Sequence, residues 1–155
     1  MEKPNPSETA PRRPLSEVIT TGGMQGNLMA AACPSREVLN HVTSRWGVLV
    51  LMALEKRTLR FSQLKRQIGG VSERMLAQTL KHLESDGFVR RQAFEVVPPH
   101  VEYSLTPLGL EVAERVRGLA DWIEINLGRI LPNWDPDVLA TYASEPAAEA
   151  RTAGF

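Results

Sequence analysis

Arg74, Gln78 and Lys81 follow one another at spacings of four and three, so they share one side of any helix that carries them. A guanidinium, an amide and an ammonium are donors. That chemistry suits phosphate oxygens and the acceptor-rich base edges of the DNA major groove. Leu76, Leu80 and Leu83 recur at helical spacing on another side, flanked by Met75 and Thr79. Ser72 can cap the start of this helix and Gly87 can end it. Arg74 and Gln78 are the expected base readers. Thr79 is expected either to meet a thymine methyl or to face its own core. Ser72 and Lys81 are assigned to phosphate, the free N–H groups behind Ser72 adding to the attraction for an anion.

An ordinary amphipathic helix would carry the same pattern, so the surrounding elements decide. FVRRQAF, a loop containing Pro98-Pro99, and HVEYSL read as a β-hairpin directly after the helix. Val101, Tyr103 and Leu105 alternate with Glu102 and Ser104, as in a half-buried strand. Upstream, Phe61, Leu64 and Ile68 give an apolar side to a short supporting helix, and Gly69-Gly70 makes the joint into Ser72. Thr58-Leu59-Arg60 reads as a short strand able to pair with the hairpin. The expected fold is therefore mainly α with a small β-hairpin: a winged helix-turn-helix. Arg60, Lys65 and Arg66 before the helix, with Arg90 and Arg91 after it, are expected to hold the DNA backbone.

The remaining helices frame this unit. Cys33-Pro34-Ser35 has the chemistry of a helix start, and Val38, Leu39 and Val42 give that helix an apolar side. Ser44 can cap a second helix running from Arg45 to about Glu55, apolar on nearly all sides, with Trp46 as a core anchor. Thr106-Pro107 opens another helix. Leu108, Val112, Val116, Leu119, Ile123, Leu127 and Ile130 repeat at spacings of four and three, giving one helix of about 24 residues and roughly 36 Å. That is too long for so small a domain to cover. Val112, Val116, Leu119, Trp122, Ile123 and Leu127 are accordingly expected to form a homodimer surface. Pro132 and Pro136 are expected to end the helix, with a further turn near Asp137–Tyr142 and Trp134 packed back on the body.

Composition sets the outer limits. The 155 residues carry 18 Lys or Arg and 18 Asp or Glu, so net charge alone says nothing about nucleic acid. Its distribution is more informative: residues 35–92 hold 11 basic and 5 acidic residues, while the remainder is acidic by the same margin. Residues 1–32 read as a flexible arm in which Arg12 and Arg13 are more simply solvated than bound. Residues 33–130 read as the DNA-binding and dimerisation domain, and 131–155 as a partly disordered extension. One cysteine, no evident signal peptide and no apolar run long enough for a bilayer lead to the expectation of a cytoplasmic protein without a membrane partner. His41, His82 and His100 form no metal-ligand spacing with Cys33. Neither a phosphate-binding glycine loop nor a nucleophile elbow is present. No cofactor and no enzymatic activity are expected.

Several spaced motifs resemble one family. Cys33-Pro34, Arg45-Trp46, Arg60-Phe61-Ser62-Gln63-Leu64, VSERMLAQTLKHLESDGFVRR, and Pro98-Pro99-His100-Val101-Glu102-Tyr103-Ser104-Leu105-Thr106 followed by Gly109 resemble the HxlR-type winged-helix transcriptional regulators of bacteria. The resemblance covers about Cys33 to Asn126. It implies a homodimer on an inverted-repeat operator of double-stranded DNA that represses, or sometimes activates, nearby genes. It places the dimer surface near Cys33 and along the long C-terminal helix. Arg45 stands where the family often has Lys, which keeps the charge. His100 stands where Arg is frequent, which removes a permanent phosphate contact from the wing.

The resemblance also gives Cys33 two readings. Some members sense oxidants or electrophiles through a cysteine at the matching position, and a helix start together with Arg36 would favour its thiolate. The alternative is an inert residue of the dimer interface, with control exerted by a non-covalent small-molecule effector bound there. A winged helix that binds only protein is a further alternative, distinguished by the absence of salt-sensitive DNA binding.

Overall fold

The computed structural model describes residues 27–133 together with Asp135, Asp137, Val138 and Ala140. They fall into two units divided between Glu37 and Val38. In chain order the elements are α1 (Pro34–Thr43), α2 (Arg45–Leu54), β1 (Leu59–Arg60), α3 (Phe61–Ile68), α4 (Glu73–Ser85), β2 (Val89–Phe94), β3 (His100–Leu105), α5 (Pro107–Ile125) and α6 (Leu127–Ile130). The three strands form an antiparallel sheet in the order β1-β3-β2. This is the expected winged helix-turn-helix. The expectations for Arg12, Arg13, Trp134, Pro136 and Ser144–Phe155 lie outside the described residues.

The second helix, α2, is the hub. The Ser44 hydroxyl oxygen accepts the Gly47 N–H at 3.0 Å and so caps its start. Gly47, Val50, Leu51, Ala53 and Leu54 are all buried. Val50, Leu51, Ala53 and Leu54 form one contiguous core with Leu64 of α3, Leu76, Leu80 and Leu83 of α4, and Ala113 and Val116 of α5. Each fully buried leucine contributes about 2 kcal/mol of burial free energy, well above what any exposed ion pair on this surface supplies. The core therefore sets the orientation of α3 and α4, and the surface charges follow from it. Trp46 is half-buried and packs against the core, with the Arg45 guanidinium 5.7 Å from its ring centroid.

The joint between α3 and α4 depends on Gly69 and Gly70, whose φ angles of 63° and 72° suit glycine and strain most other residues. On the far side of α4, the hairpin register pairs Val89 with Leu105 and Arg91 with Tyr103, while β1 pairs Leu59 with Tyr103. Val89, Leu59, Tyr103 and Leu105 thus share the inner face of the sheet.

The entry to α5 is fixed by close backbone packing. The Thr106 hydroxyl accepts the Gly109 N–H at 3.0 Å and donates to the Gly87 carbonyl at 2.6 Å. At Gly109 an added Cβ would lie 2.0 Å from the Phe88 carbonyl oxygen, so no larger residue fits without moving backbone. Small residues continue this contact: Gly109, Ala113 and Val116 are the buried positions of α5. Arg117 then donates to the Glu55 carboxylate and joins α5 to the end of α2.

Two expectations about this helix need correction. It is not continuous to Ile130. Asn126 interrupts it with a φ of −100° and ψ of 10°, and its side-chain amide donates back to the Trp122 carbonyl. Val116 does not belong to an outward stripe, since it is 7% exposed within the core. The stripe drawn from the largest residues lies beside the true inner face, which uses small residues so that α5 can approach α2 and Phe88. Val112 is partly buried against the core and Leu127 is half-buried. Leu119, Trp122 and Ile123 remain exposed, at 54%, 56% and 41%. Among the described residues, no helix is long and apolar enough to cross a membrane.

Candidate nucleic-acid interface

The fourth helix is built to show one side. Ser72 accepts the Met75 N–H at 3.1 Å and caps its start. Leu76, Thr79, Leu80 and Leu83 are buried, whereas Arg74, Ala77, Gln78 and Lys81 are exposed. The structure thus brings Arg74, Gln78 and Lys81 onto one solvent-facing side, with no hydrogen bond to another described residue holding their side chains back.

Thr79 is a correction. It is 8% exposed, and its hydroxyl donates to the Met75 carbonyl at 2.8 Å. It lies one position from Leu80 and three from Leu76, on the side that the core claims. Its methyl is therefore unavailable to a base. Of the two placements the sequence allowed, the inward one holds.

The basic residues around α4 fall into three settings. Lys65 of α3 is paired with Glu73 at 2.9 Å, both partly exposed, so this ammonium tethers the first turn of α4 to the supporting helix. Such an exposed pair contributes about 0.5 kcal/mol and is easily exchanged for another anion. Arg60 and Arg66 line an open cleft of about 480 Å³ with Thr58, Ser62, Gln63 and Glu102. Arg90 and Arg91 are both exposed but, as neighbours on a strand, project from opposite faces of the sheet. Arg90, across from Ser104, shares the outer face with Arg60 and Glu102. Wing residue His100 stacks on Phe94 at 5.0 Å and meets Glu102 at 3.2 Å.

One arrangement was not anticipated. His41, on the last turn of α1, places Nδ1 2.7 Å from Asp86 Oδ2, with both side chains largely buried. Asp86 is the C-terminal cap of α4. The carboxylate can only accept, so it fixes the proton on Nδ1. The His41 ring also stacks on His82 of α4, centroids 4.3 Å apart. The fourth helix is therefore gripped at its last turn by α1 and at its first turn by Lys65. A separation of 45 residues with no shared motif leaves this contact without a signal in the sequence. Among the described residues, no group of three His, Cys, Asp or Glu side chains is placed to hold a metal ion.

Cys33 immediately precedes α1 and is half-buried. The Ser35 hydroxyl bonds the sulfur, and backbone groups of Ser35, Asn27 and Arg36 add to it, holding the thiol below its usual pKa despite some desolvation.

Against this geometry, the family model for HxlR-like helix-turn-helix proteins matches residues 41–130, more than half the chain. The chain belongs to the HxlR-like helix-turn-helix family. It is similar to YtfH of Escherichia coli K12, described as an uncharacterized HTH-type transcriptional regulator. The two are 68% identical over 107 residues, covering 69% of this chain and 85% of that protein. It is also similar to the solved ytfH transcriptional regulator of Salmonella typhimurium, with 65% identity and a TM-score of 0.66 over 69% of this chain and 96% of that one. The redox regulator HypR in its reduced form aligns at 31% identity and a TM-score of 0.58, covering 65% of this chain and 99% of HypR. As a member of this HxlR-like family the protein is a sequence-specific DNA-binding regulator of transcription, and the family is not an enzymatic one.

The His41 contact yields a prediction. Asp86→Ala removes the acceptor and leaves a largely buried imidazole N–H unpaired, so stability in a urea titration should fall by about 1 to 2 kcal/mol. An unchanged midpoint and slope would show that the contact contributes nothing.

Proposed function

We propose that the protein acts as a homodimer that places two copies of α4 in successive major grooves of an inverted-repeat operator, most simply as a repressor. The observation that carries this reading is the single exposed side of α4, where Arg74, Gln78 and Lys81 project while the leucines opposite are locked in the core. Arg74 and Gln78 read base edges, the first suited to guanine and the second to adenine. Ser72 and Lys81 meet phosphate. Arg60, Arg66 and Arg90 extend the phosphate track along one side, and Arg91 serves the other face of the wing. Lys65 exchanges Glu73 for a phosphate at little cost. The symmetry of a two-fold dimer accounts for the inverted repeat.

The exposed Leu119, Trp122 and Ile123 support α5 as the dimer contact, joined by Leu127 and the outer edge of Val112. So much apolar surface at one end of a helix is stabilised by a second copy.

Redox control through Cys33 is supported by the hydrogen bonds that favour its thiolate and by similarity to HypR, a protein solved in both reduced and oxidised forms. With one cysteine per chain, a disulfide joins Cys33 either to Cys33 of a second copy or to a small thiol. Two thiols then lose two protons and two electrons to the oxidant. The new bond alters dimer geometry and weakens the operator complex.

Three outcomes follow. With an operator selected from a random library, fluorescence anisotropy should show Arg74→Ala binding about tenfold or more weakly while its affinity for unrelated DNA is kept. Lys65→Ala should instead weaken all sequences similarly and flatten the salt dependence; parent-like binding by both variants would remove this face from consideration. In sedimentation, Trp122→Asp should give folded monomers, and a fully dimeric variant would exclude the α5 surface. A disulfide-forming oxidant should release the parent from its operator and leave Cys33→Ser bound. Equal release of both, or of neither, would contradict control at Cys33.

A further inference from the structure

We infer that Ala77 is a specificity-determining residue that receives a thymine methyl group within each half-site. The inference rests on α4 reading the major groove, and it assigns a base contact that no motif in the sequence marks. Ala77 is exposed, although its neighbour Leu76 is 0% exposed and Thr79 only 8%. It stands three residues after Arg74, one before Gln78 and four before Lys81, in the middle of the projecting side. Its surroundings are long side chains, so a single methyl there leaves a shallow apolar notch between two donors. Glu73, one turn earlier, leans toward Lys65 of α3 in the free protein.

The major groove offers one protruding apolar group, the C5 methyl of thymine. Donors on either side fix the helix close to the base edges, and alanine is small enough to permit that approach. A long residue at position 77 would hold the helix away from the bases. Thr79, the other methyl-bearing candidate, is committed to the core. Met75 is 40% exposed but lies at the edge of the projecting side, against the core-facing flank. Of these apolar groups, Ala77 alone is central to the stripe.

The test replaces each dT of the selected operator by dU, which removes only the C5 methyl, and compares the parent with Ala77→Gly and Ala77→Ser. For the parent, one dT→dU change per half-site should lower affinity about threefold to fivefold, the value expected for losing one buried methyl. In Ala77→Gly the same duplex should bind as tightly as the unmodified one. Ala77→Ser, whose hydroxyl meets the methyl poorly, should show a reduced preference while retaining a better helix former. Helix content by circular dichroism separates a lost contact from a frayed helix, and the comparison within each variant cancels any general weakening. A parent indifferent to every dU, or a preference that survives in Ala77→Gly, overturns the assignment. If no operator is selected at all, the DNA-reading model fails first, and that result is distinct.

Discussion

The whole exposed side of α4 depends on how its leucines are buried. Leu76, Leu80 and Leu83 sink into the core around α2, and that choice determines which of their neighbours face outward. A helix that turned by one residue would bury Arg74 or Gln78 and expose a leucine, at a cost of several kcal/mol. The surface charges have no comparable influence. Lys65–Glu73 is exposed and weak, and its loss would leave the helix it tethers in place. Arg74, Gln78 and Lys81 thus owe their placement to apolar packing on the opposite side of the helix.

Positions at the two ends of α4 refine that constraint. At the start, Ser72 satisfies a free N–H, while Gly69 and Gly70 set the angle of entry. At the end, Asp86 is bound by His41 and the imidazoles of His41 and His82 lie face to face. A helix fixed by its core side and at both ends has little conformational freedom left to lose on binding. Small residues have the same effect in α5. Gly109 lets that helix lie directly against the Phe88 backbone and Ala113 is buried in the core, while the bulkier Leu119, Trp122 and Ile123 stay exposed.

Much of this was legible in the sequence, for reasons that differ by element. Caps, glycines and alternation are local, so the limits of α2, α3, α4 and the hairpin could be read from Ser44, Ser72, Gly69-Gly70, Thr106-Pro107 and the VEYSL pattern. The exposed donors of α4 were equally legible, because leucine spacing fixes the opposite side. What escaped depends on contacts distant in the chain or on small residues. For Thr79 the sequence left two placements open, and only the fold shows its hydroxyl bonded to its own helix and the remainder packed inward. Val116 looked like part of an outward stripe because the true inner face is marked by Gly109 and Ala113, which hydrophobicity counts undervalue. The break at Asn126 ends α5 one turn early through a side-chain bond to Trp122 that no spacing announces. His41 and Asp86 meet only through the fold.

The proposed recognition turns on whether Arg74 reads a guanine from the exposed side of α4. Its most direct test substitutes 7-deazaguanine, which lacks the N7 acceptor, for each guanine of the selected operator in turn. One substitution per half-site should weaken the parent about fivefold or more, and Arg74→Ala should bind the substituted and unsubstituted duplexes alike. Parent affinity unchanged at every guanine, or a loss that persists in Arg74→Ala, would contradict it.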